Sequence, residues 1–158
     1  MCGYNRALSG YSFVMFLSEL FQSAIQYATI PYMKKGVLIQ NGVHLEDHEW
    51  KTVKYFLDKG IKVELLPKSD IKDFHIGDFI MEGLVWEAKA PIGDGKKNVE
   101  NKVQEASHQS SNIIIDLRRS RMQDDKAAKA YEQEFWKHKG LRRMKIIRKD
   151  GNLIDIKK

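Results

Sequence analysis

Three residues in the stretch 77–91, "GDFIMEGLVWEAKAP", are of types that can act together on a phosphodiester: Asp78, Glu87 and Lys89. The rest of the stretch is mostly apolar and reads as two short strands around a turn. A two-residue turn at Glu82 and Gly83 opposes Met81 with Leu84, Ile80 with Val85, Phe79 with Trp86, and Asp78 with Glu87. Directly opposed residues project to the same side of a sheet, their Cβ atoms about 4.5–5.5 Å apart. Lys89 lies two residues beyond Glu87 and shares its side. One face then carries Phe79, Met81, Leu84, Trp86 and Ala88 as a core face, and the other gathers Asp78, Glu87 and Lys89. Glu-Gly is not the favoured Asn-Gly or Asp-Gly turn pair, so the turn itself is an expectation. Opposed like charges weaken a hairpin. A hard divalent cation gives a reason to place them there, since Mg²⁺ takes oxygens from one or two carboxylates plus a substrate phosphate. Lys89 beside that ion can orient a water or steady negative charge on phosphorus. The competing reading of the trio is a carboxylate–lysine ion pair on a solvated face.

The flanking elements must hold this hairpin. Residues 45–60, "LEDHEWKTVKYFLDKG", form a helix with Trp50, Val53, Phe56 and Leu57 as its apolar stripe and Gly60 as its stop. "IKVELLP" alternates and breaks at Pro67, as a strand does. "APIGDGKKN" is a glycine-rich turn into a helix over 96–108 with Val99, Val103 and Ala106 inward. "NIIIDL" is a continuous apolar run expected in the middle of a sheet. "DDKAAKAYEQEFWKHKG" is a helix with two aspartates at its start, where the helix dipole favours them. "MKIIRKDGNLIDIKK" is a hairpin about Asp150-Gly151. Upstream, residues 12–28 have helical spacing, and "GVLIQNG" reads as a short strand or turn. A composition shift near residue 43 divides the chain into an N-terminal helical segment, linker or docking region (1–43) and a folded domain (44–158). The element order implies an α/β domain around a mixed sheet flanked by helices.

The chain has 158 residues, 42% of them apolar and 30% charged, which suits one domain with a hydrophobic core and excludes disorder. Its net charge is +6. Residues 118–149 hold twelve Lys/Arg against four Asp/Glu, an excess of eight, and this basic third suggests a phosphate-facing surface. Cys2 is the single cysteine, so neither an intrachain disulfide nor a cysteine metal site is expected. Ser18, Glu19, Gln22, Ser23 and Gln26 interrupt the apolar run 11–30, so no stable membrane insertion is expected, and no signal peptide is evident.

Further candidates surround the trio. Lys96 and Lys97 follow Gly93 and Gly95 at a helix start and could hold backbone phosphates, although the sequence is no P-loop. Arg118, Arg119 and Arg121 follow the "NIIID" strand, near where open α/β sheets build sites, with Asp116 a structural partner for one of them. His44 and His48 precede Glu49 in the wrong order for a zinc-protease motif and read as helix-surface histidines. His75 reads as a loop histidine.

Asp78 followed by Glu87-Ala88-Lys89 on the next strand resembles the PD-(D/E)xK nuclease motif. The blocks "HEWKTVKYFLDKGIKVELLP", "GDFIMEGLVWEAKAP", "QSSNIIIDLRRSR" and "IIRKDGNLIDIKK", in this order, resemble the C-terminal tRNA-nuclease domain of contact-dependent growth-inhibition toxins and related polymorphic toxins, over residues 44–158. The resemblance implies a restriction-endonuclease-like core and Mg²⁺- or Mn²⁺-dependent cleavage of an RNA phosphodiester, with tRNA as the substrate. It further implies a cognate immunity protein and action in the cytoplasm after delivery as part of a larger secreted protein. By position, Asp78 and Glu87 are then metal ligands together with the Ala88 carbonyl, and Lys89 is the catalytic lysine. Glu49 matches an acidic residue near the metal, and Gln109 a family glutamine. Gly77 stands where the family often has proline. A DNA endonuclease of the same fold and a non-catalytic nucleic-acid-binding module remain as alternative readings.

Overall fold

A computed structural model describes residues 35–67 and 77–158, which form a seven-stranded mixed sheet with helices on both faces. In chain order the elements are β1 (Leu38–Ile39), α1 (Asp47–Asp58), β2 (Val63–Leu65), β3 (Phe79–Met81), β4 (Leu84–Lys89), α2 (Lys96–Ser107), β5 (Asn112–Asp116), a 3₁₀ turn (Leu117–Arg119), α3 (Asp124–Lys137), β6 (Arg143–Ile147) and β7 (Leu153–Lys157). The strands lie side by side in sequence order. β1 runs parallel to β2, β2–β3–β4 form an antiparallel meander, β4, β5 and β6 are parallel, and β7 returns antiparallel to β6. The helix expected over 12–28 and His75 lie outside the described residues.

The hairpin register follows the sequence expectation: Phe79 pairs with Trp86, Ile80 with Val85 and Met81 with Leu84. The turn residues Glu82 (φ 55°) and Gly83 (φ 73°) both have positive φ, as a two-residue hairpin turn that follows the strand twist requires. Glutamate is an unfavourable choice there, and ion pairs from Arg143 Nη1 at 3.0 Å and Lys145 Nζ at 3.4 Å hold it. Two details of the expected faces change. Leu84 at the turn is 37% exposed rather than in the core, because no element covers the hairpin tip at that position among the described residues. Trp50, expected in the apolar stripe of α1, is 42% exposed, while Val53 and Phe56 of that stripe are buried.

Period-two alternation on β5 feeds two cores. Ile114 packs with Val53, Phe56, Val63, Leu65, Phe79, Met81, Trp86 and Ile147 on the α1 face. Ile113 and Ile115 pack with Val99, Val103, Ala106, Tyr131, Phe135 and Met144 beneath α2 and α3. Parallel neighbours on both sides and helices on both faces explain why all five residues of β5 are buried. The boundary expected at residue 43 does not divide the sheet. Leu38 and Ile39 pair with Val63 and Glu64, Gly36 N–H donates to the Leu57 carbonyl at 2.8 Å, and the Asn41 amide donates to the Leu65 carbonyl at 2.9 Å.

Asp116, at the end of β5, ties α1 to the sheet. It accepts from the Thr52 hydroxyl at 2.7 Å and from Arg118 Nε at 2.9 Å and Nη2 at 2.5 Å, and Arg118 Nη2 also donates to the Lys51 carbonyl at 2.8 Å. Burial alone would raise the Asp116 carboxyl, but the Arg118 and Thr52 hydrogen bonds outweigh it and hold it below the ordinary carboxylate value.

Two predictions follow from these contacts. Asp116→Asn should lose about 2 kcal/mol of stability at neutral pH, less than the roughly 3–5 for a fully buried pair because Arg118 can rehydrate at its exposed end. A carboxyl with a depressed folded pKa contributes its stability above the unfolded value and loses it as pH falls through the folded one. The gap between native chain and variant, read by urea denaturation, should therefore close as pH drops below the ordinary value of 3.8. At Gly77 an added Cβ would stand 2.6 Å from the Trp86 carbonyl oxygen and 2.9 Å from its carbon. Gly77→Ala should cost about 1–3 kcal/mol. Gly140→Ala, where a Cβ meets nothing within 4 Å, should stay within about 0.5 kcal/mol.

Candidate active site

β4 pairs with β3 through Leu84, Val85 and Trp86 and then carries Glu87, Ala88 and Lys89 alongside β5. Glu87 pairs with Ile113 and Lys89 with Ile115, so both project to the α2/α3 face. Asp78 continues the backbone pairing just before β3. Its N–H donates to the Trp86 carbonyl at 2.8 Å, and its carbonyl accepts from Leu66 N–H at 2.9 Å. The expected direct opposition of Asp78 to Glu87 is replaced by this pairing with Trp86. The Asp78 carboxylate nonetheless reaches β4, where Oδ2 accepts the Ala88 N–H at 2.8 Å, between Glu87 and Lys89.

Asp78, Glu87, Ala88 and Lys89 thus share one cleft of about 500 Å³. Glu87 is 1% exposed. Lys89 Nζ lies 2.5 Å from Glu87 Oε1. With its amide nitrogen turned to the carboxylate, Gln109 donates to Glu87 Oε2 at 3.1 Å and Oε1 at 3.2 Å. Burial first, then the charge of Asp78, push the Glu87 carboxyl up to about 7, against the pull of Lys89. Lys89 Nζ is the close amine on Glu87, and the Asp78 carboxylate adds its charge to the same cleft.

Glu49 also lines the cleft, from the first turn of α1. One of its oxygens accepts the Glu46 N–H at 2.9 Å, so the same side chain caps the helix and faces the cleft. Three cleft-lining residues with titratable side chains were not singled out by the sequence as site residues: His44, His48 and Lys102. His48 Nδ1 lies 3.3 Å from Glu46 Oε2, and Lys102 Nζ bonds Glu105 at 2.6 Å. Lys102 and Gln109 are seven residues apart, two helical turns, which is the spacing that could have revealed Lys102.

The outer basic candidates do not join the cleft among the described residues that line it. Lys96 and Lys97 are exposed at the start of α2, and Lys96 Nζ stands 3.6 Å from Glu100. Arg118 is engaged with Asp116 and the Lys51 carbonyl, so it is a clamp between β5 and α1 rather than a free cation. Arg119 lines a surface hollow with His48 and Lys51, and Arg121 is exposed. Much of the basic C-terminal third is neutralised in the fold. Arg143 and Lys145 pair with Glu82 and Asp155, Arg148 with Asp124 and Asp125, and Lys137 with Glu134. Arg119, Arg121, Lys126, Lys129, Lys139 and Arg142 have no side-chain ion pair among the described residues, while Lys149 Nζ donates to the Met122 carbonyl at 2.8 Å.

Among the described residues no three or more His, Cys, Asp or Glu side chains cluster as a metal cage. The donor set at the cleft is a pair of carboxylates with a backbone carbonyl between Glu87 and Lys89. It suits a hard cation such as Mg²⁺, which keeps several waters and takes further oxygens from a phosphate substrate. It does not suit zinc, whose sites use three or four nitrogen, sulfur or oxygen ligands from the protein.

Residues 77–153 match the family model described as the contact-dependent growth inhibition CdiA C-terminal domain. A solved structure, the CdiA-CT/CdiI toxin and immunity complex from Burkholderia pseudomallei, contains a chain similar in fold, with a TM-score of 0.60 and 22% identity. The match covers 78% of this chain and 100% of that chain. At that identity the likeness speaks for the shared fold. The sequence blocks and the family match thus meet on the same hairpin and the same sheet, and residues 77–153 are similar to contact-dependent growth inhibition CdiA C-terminal domains.

Proposed function

We propose that this chain is a metal-dependent ribonuclease with a restriction-endonuclease-like core, that it cleaves tRNA, and that it acts as the toxin domain of a bacterial competition system. The observation that carries the reading is the meeting of Asp78, Glu87 and Lys89 in one cleft, with Glu87 buried and raised to about 7 beside a second carboxylate. Charge placed this way is costly in a merely structural site. Strongly shifted groups in a cleft are what a reacting centre needs. The immunity protein in the Burkholderia pseudomallei complex supports a cognate immunity partner for this chain as well. The family supports delivery as part of a larger secreted protein, with the cytoplasm of the target cell as the place of action. Among the described residues no helix is long and apolar enough to cross a membrane.

Asp78, Glu87 and the Ala88 carbonyl would hold the cation. When bound, Mg²⁺ or Mn²⁺ supplies Lewis acidity toward a phosphate oxygen and a more acidic water. The chain's own residues do the rest. Glu87, buried, fixes Lys89 Nζ at 2.5 Å, so the ammonium is held in place instead of sweeping solvent. Lys89 then presents its remaining N–H donors to the non-bridging phosphate oxygen, where charge grows in the transition state. Gln109 orients Glu87 from the α2 side, and Asp78 is fixed by the Ala88 N–H. Glu49 and Lys102 border the approach. The cations Lys51, Arg119, Arg121, Lys126, Lys129, Lys139 and Arg142, which make no side-chain ion pair among the described residues, are available to RNA phosphates.

The test is direct. The purified chain is incubated with total tRNA and Mg²⁺, with and without EDTA, beside plasmid DNA. Cleavage of tRNA should require the metal, and Asp78→Ala and Lys89→Ala should each lower kcat/KM at least about 100-fold with the fold retained. Equal cleavage by Asp78→Ala would remove the metal role. Preference for the plasmid would replace RNA by DNA as the substrate.

A further inference from the structure

We propose that Trp50 is a stacking platform for a nucleobase of the RNA substrate, one that flanks the phosphodiester at the cleft. The proposal rests on the ribonuclease reading and adds a substrate-positioning residue to it.

Single exposed apolar side chains are ordinary and need no explanation. Val37, Leu84 and Ile92 fall in that class. Trp136, exposed at 53%, already has partners: an edge contact with Phe135 at 5.3 Å between centroids, and Lys158 at 5.8 Å from its ring. Trp50 is 42% exposed, and among the described residues no ring or cation packs on it. It sits on α1, where the helical spacing calls for a core residue, and yet it faces out.

What separates Trp50 from the other exposed side chains is its place. It forms the wall of a hollow of about 300 Å³ together with Leu38, Gln40, His44 and Leu45. His44 and Leu45 also line the cleft that holds Asp78, Glu87 and Lys89. The two spaces therefore adjoin across two shared residues, and a chain lying in the cleft meets the indole next. The hollow has the chemistry of a base site. The indole and two leucines supply flat apolar surface, and Gln40 supplies an amide that can both donate to and accept from a base edge. No carboxylate lines it, so nothing there repels a polyanion. On the flank of α1, Lys51 and Arg119 line a neighbouring hollow together with Glu46 and Asp47; it shares His48 with the cleft, and its two cations offset the two carboxylates there. An extended single strand can satisfy all of these at once. A base paired in a duplex cannot reach the indole face, so the platform favours loops and unpaired ends.

Binding is read without cleavage in the full chain carrying Lys89→Ala, using fluorescence anisotropy of a labelled single-stranded RNA of about ten nucleotides. A second RNA of equal length and charge has abasic nucleotides. Adding Trp50→Ala should weaken binding of the intact RNA about 5- to 100-fold and leave the abasic RNA unchanged. Trp50→Phe should recover most of the loss. Thermal melting of each variant verifies the fold, and the exposed position makes both substitutions tolerable. Unchanged affinity of the Trp50→Ala chain overturns the platform, and if tRNA is still cut in a metal-dependent way by the native chain, the nuclease reading stands alone. Equal weakening on intact and abasic RNA also overturns it, because the base is then not what the indole holds. Self-association that depends on Trp50 without RNA overturns it in favour of a protein contact. No binding of either RNA by the parent overturns the platform and the ribonuclease reading together.

Discussion

A carboxylate that is 1% exposed and faces a second carboxylate is the constraint on which the site depends. Glu87 cannot stay ionised there without compensation. Lys89, two residues along the same strand, and Gln109, from beyond the end of α2, supply it. Both partners must be held to within a fraction of an ångström, and that demand accounts for the position of β4 in the sheet. The first half of the strand, Leu84 to Trp86, pairs with antiparallel β3, and its second half, Glu87 to Lys89, pairs with parallel β5, so the backbone beneath Glu87 and Lys89 is held from the β5 side. The apolar residues that alternate with them, Trp86 above all, anchor the opposite face in the core.

The same logic of paired charge governs the basic third of the chain. An excess of positive residues in sequence suggests one continuous phosphate-binding surface. The fold divides it. Lys145 is 2% exposed, lies 5.5 Å from the centre of the Trp86 ring, and is neutralised by Glu82 and Asp155. The network ties the β3–β4 turn to the β6–β7 hairpin, and it lets a glutamate occupy a left-handed turn position that glycine or asparagine would fill more easily. Arg118 likewise fastens β5 to α1 through Asp116. Charge counts along a sequence cannot distinguish these structural cations from those left facing solvent, because only the fold brings Asp155 to Lys145 across 10 residues and Asp124 to Arg148 across 24.

Local pattern was a reliable guide where one period dominated. Helices α1, α2 and α3, the buried strand β5 and the register of the β3–β4 hairpin were all legible from spacing and from turn residues. The trio of Asp78, Glu87 and Lys89 was legible as residues sharing one side, since parity along a strand needs no tertiary information. Other features were not legible, each for a physical reason. β1 is two residues long and has no periodicity to read, so the expected boundary at residue 43 fell inside the sheet. Trp50 has the spacing of a core residue, yet it is 42% exposed and walls a surface hollow with Leu38 and Leu45. Lys102 is one charge among many on an exposed helix until α2 is docked beside β4. Glu49 was identified by likeness to other proteins. Its second role as a cap is visible only in the geometry of the helix start.

Gly77 joins these levels. Proline at this position would stiffen the approach to Asp78 by fixing φ. Here the backbone instead runs so close to β4 that a Cβ would meet the Trp86 carbonyl oxygen at 2.6 Å. The same Trp86 carbonyl accepts the Asp78 N–H, and the Asp78 carboxylate accepts the Ala88 N–H two residues further on. Close approach at Gly77 and the two hydrogen bonds made by Asp78 therefore act on Trp86 and Ala88, the residues on either side of Glu87 in β4. Rigidity that a ring would have supplied through one torsion is supplied through contact with the neighbouring strand. The consequence is that the position of Asp78 is tied to the strand that carries Glu87 and Lys89.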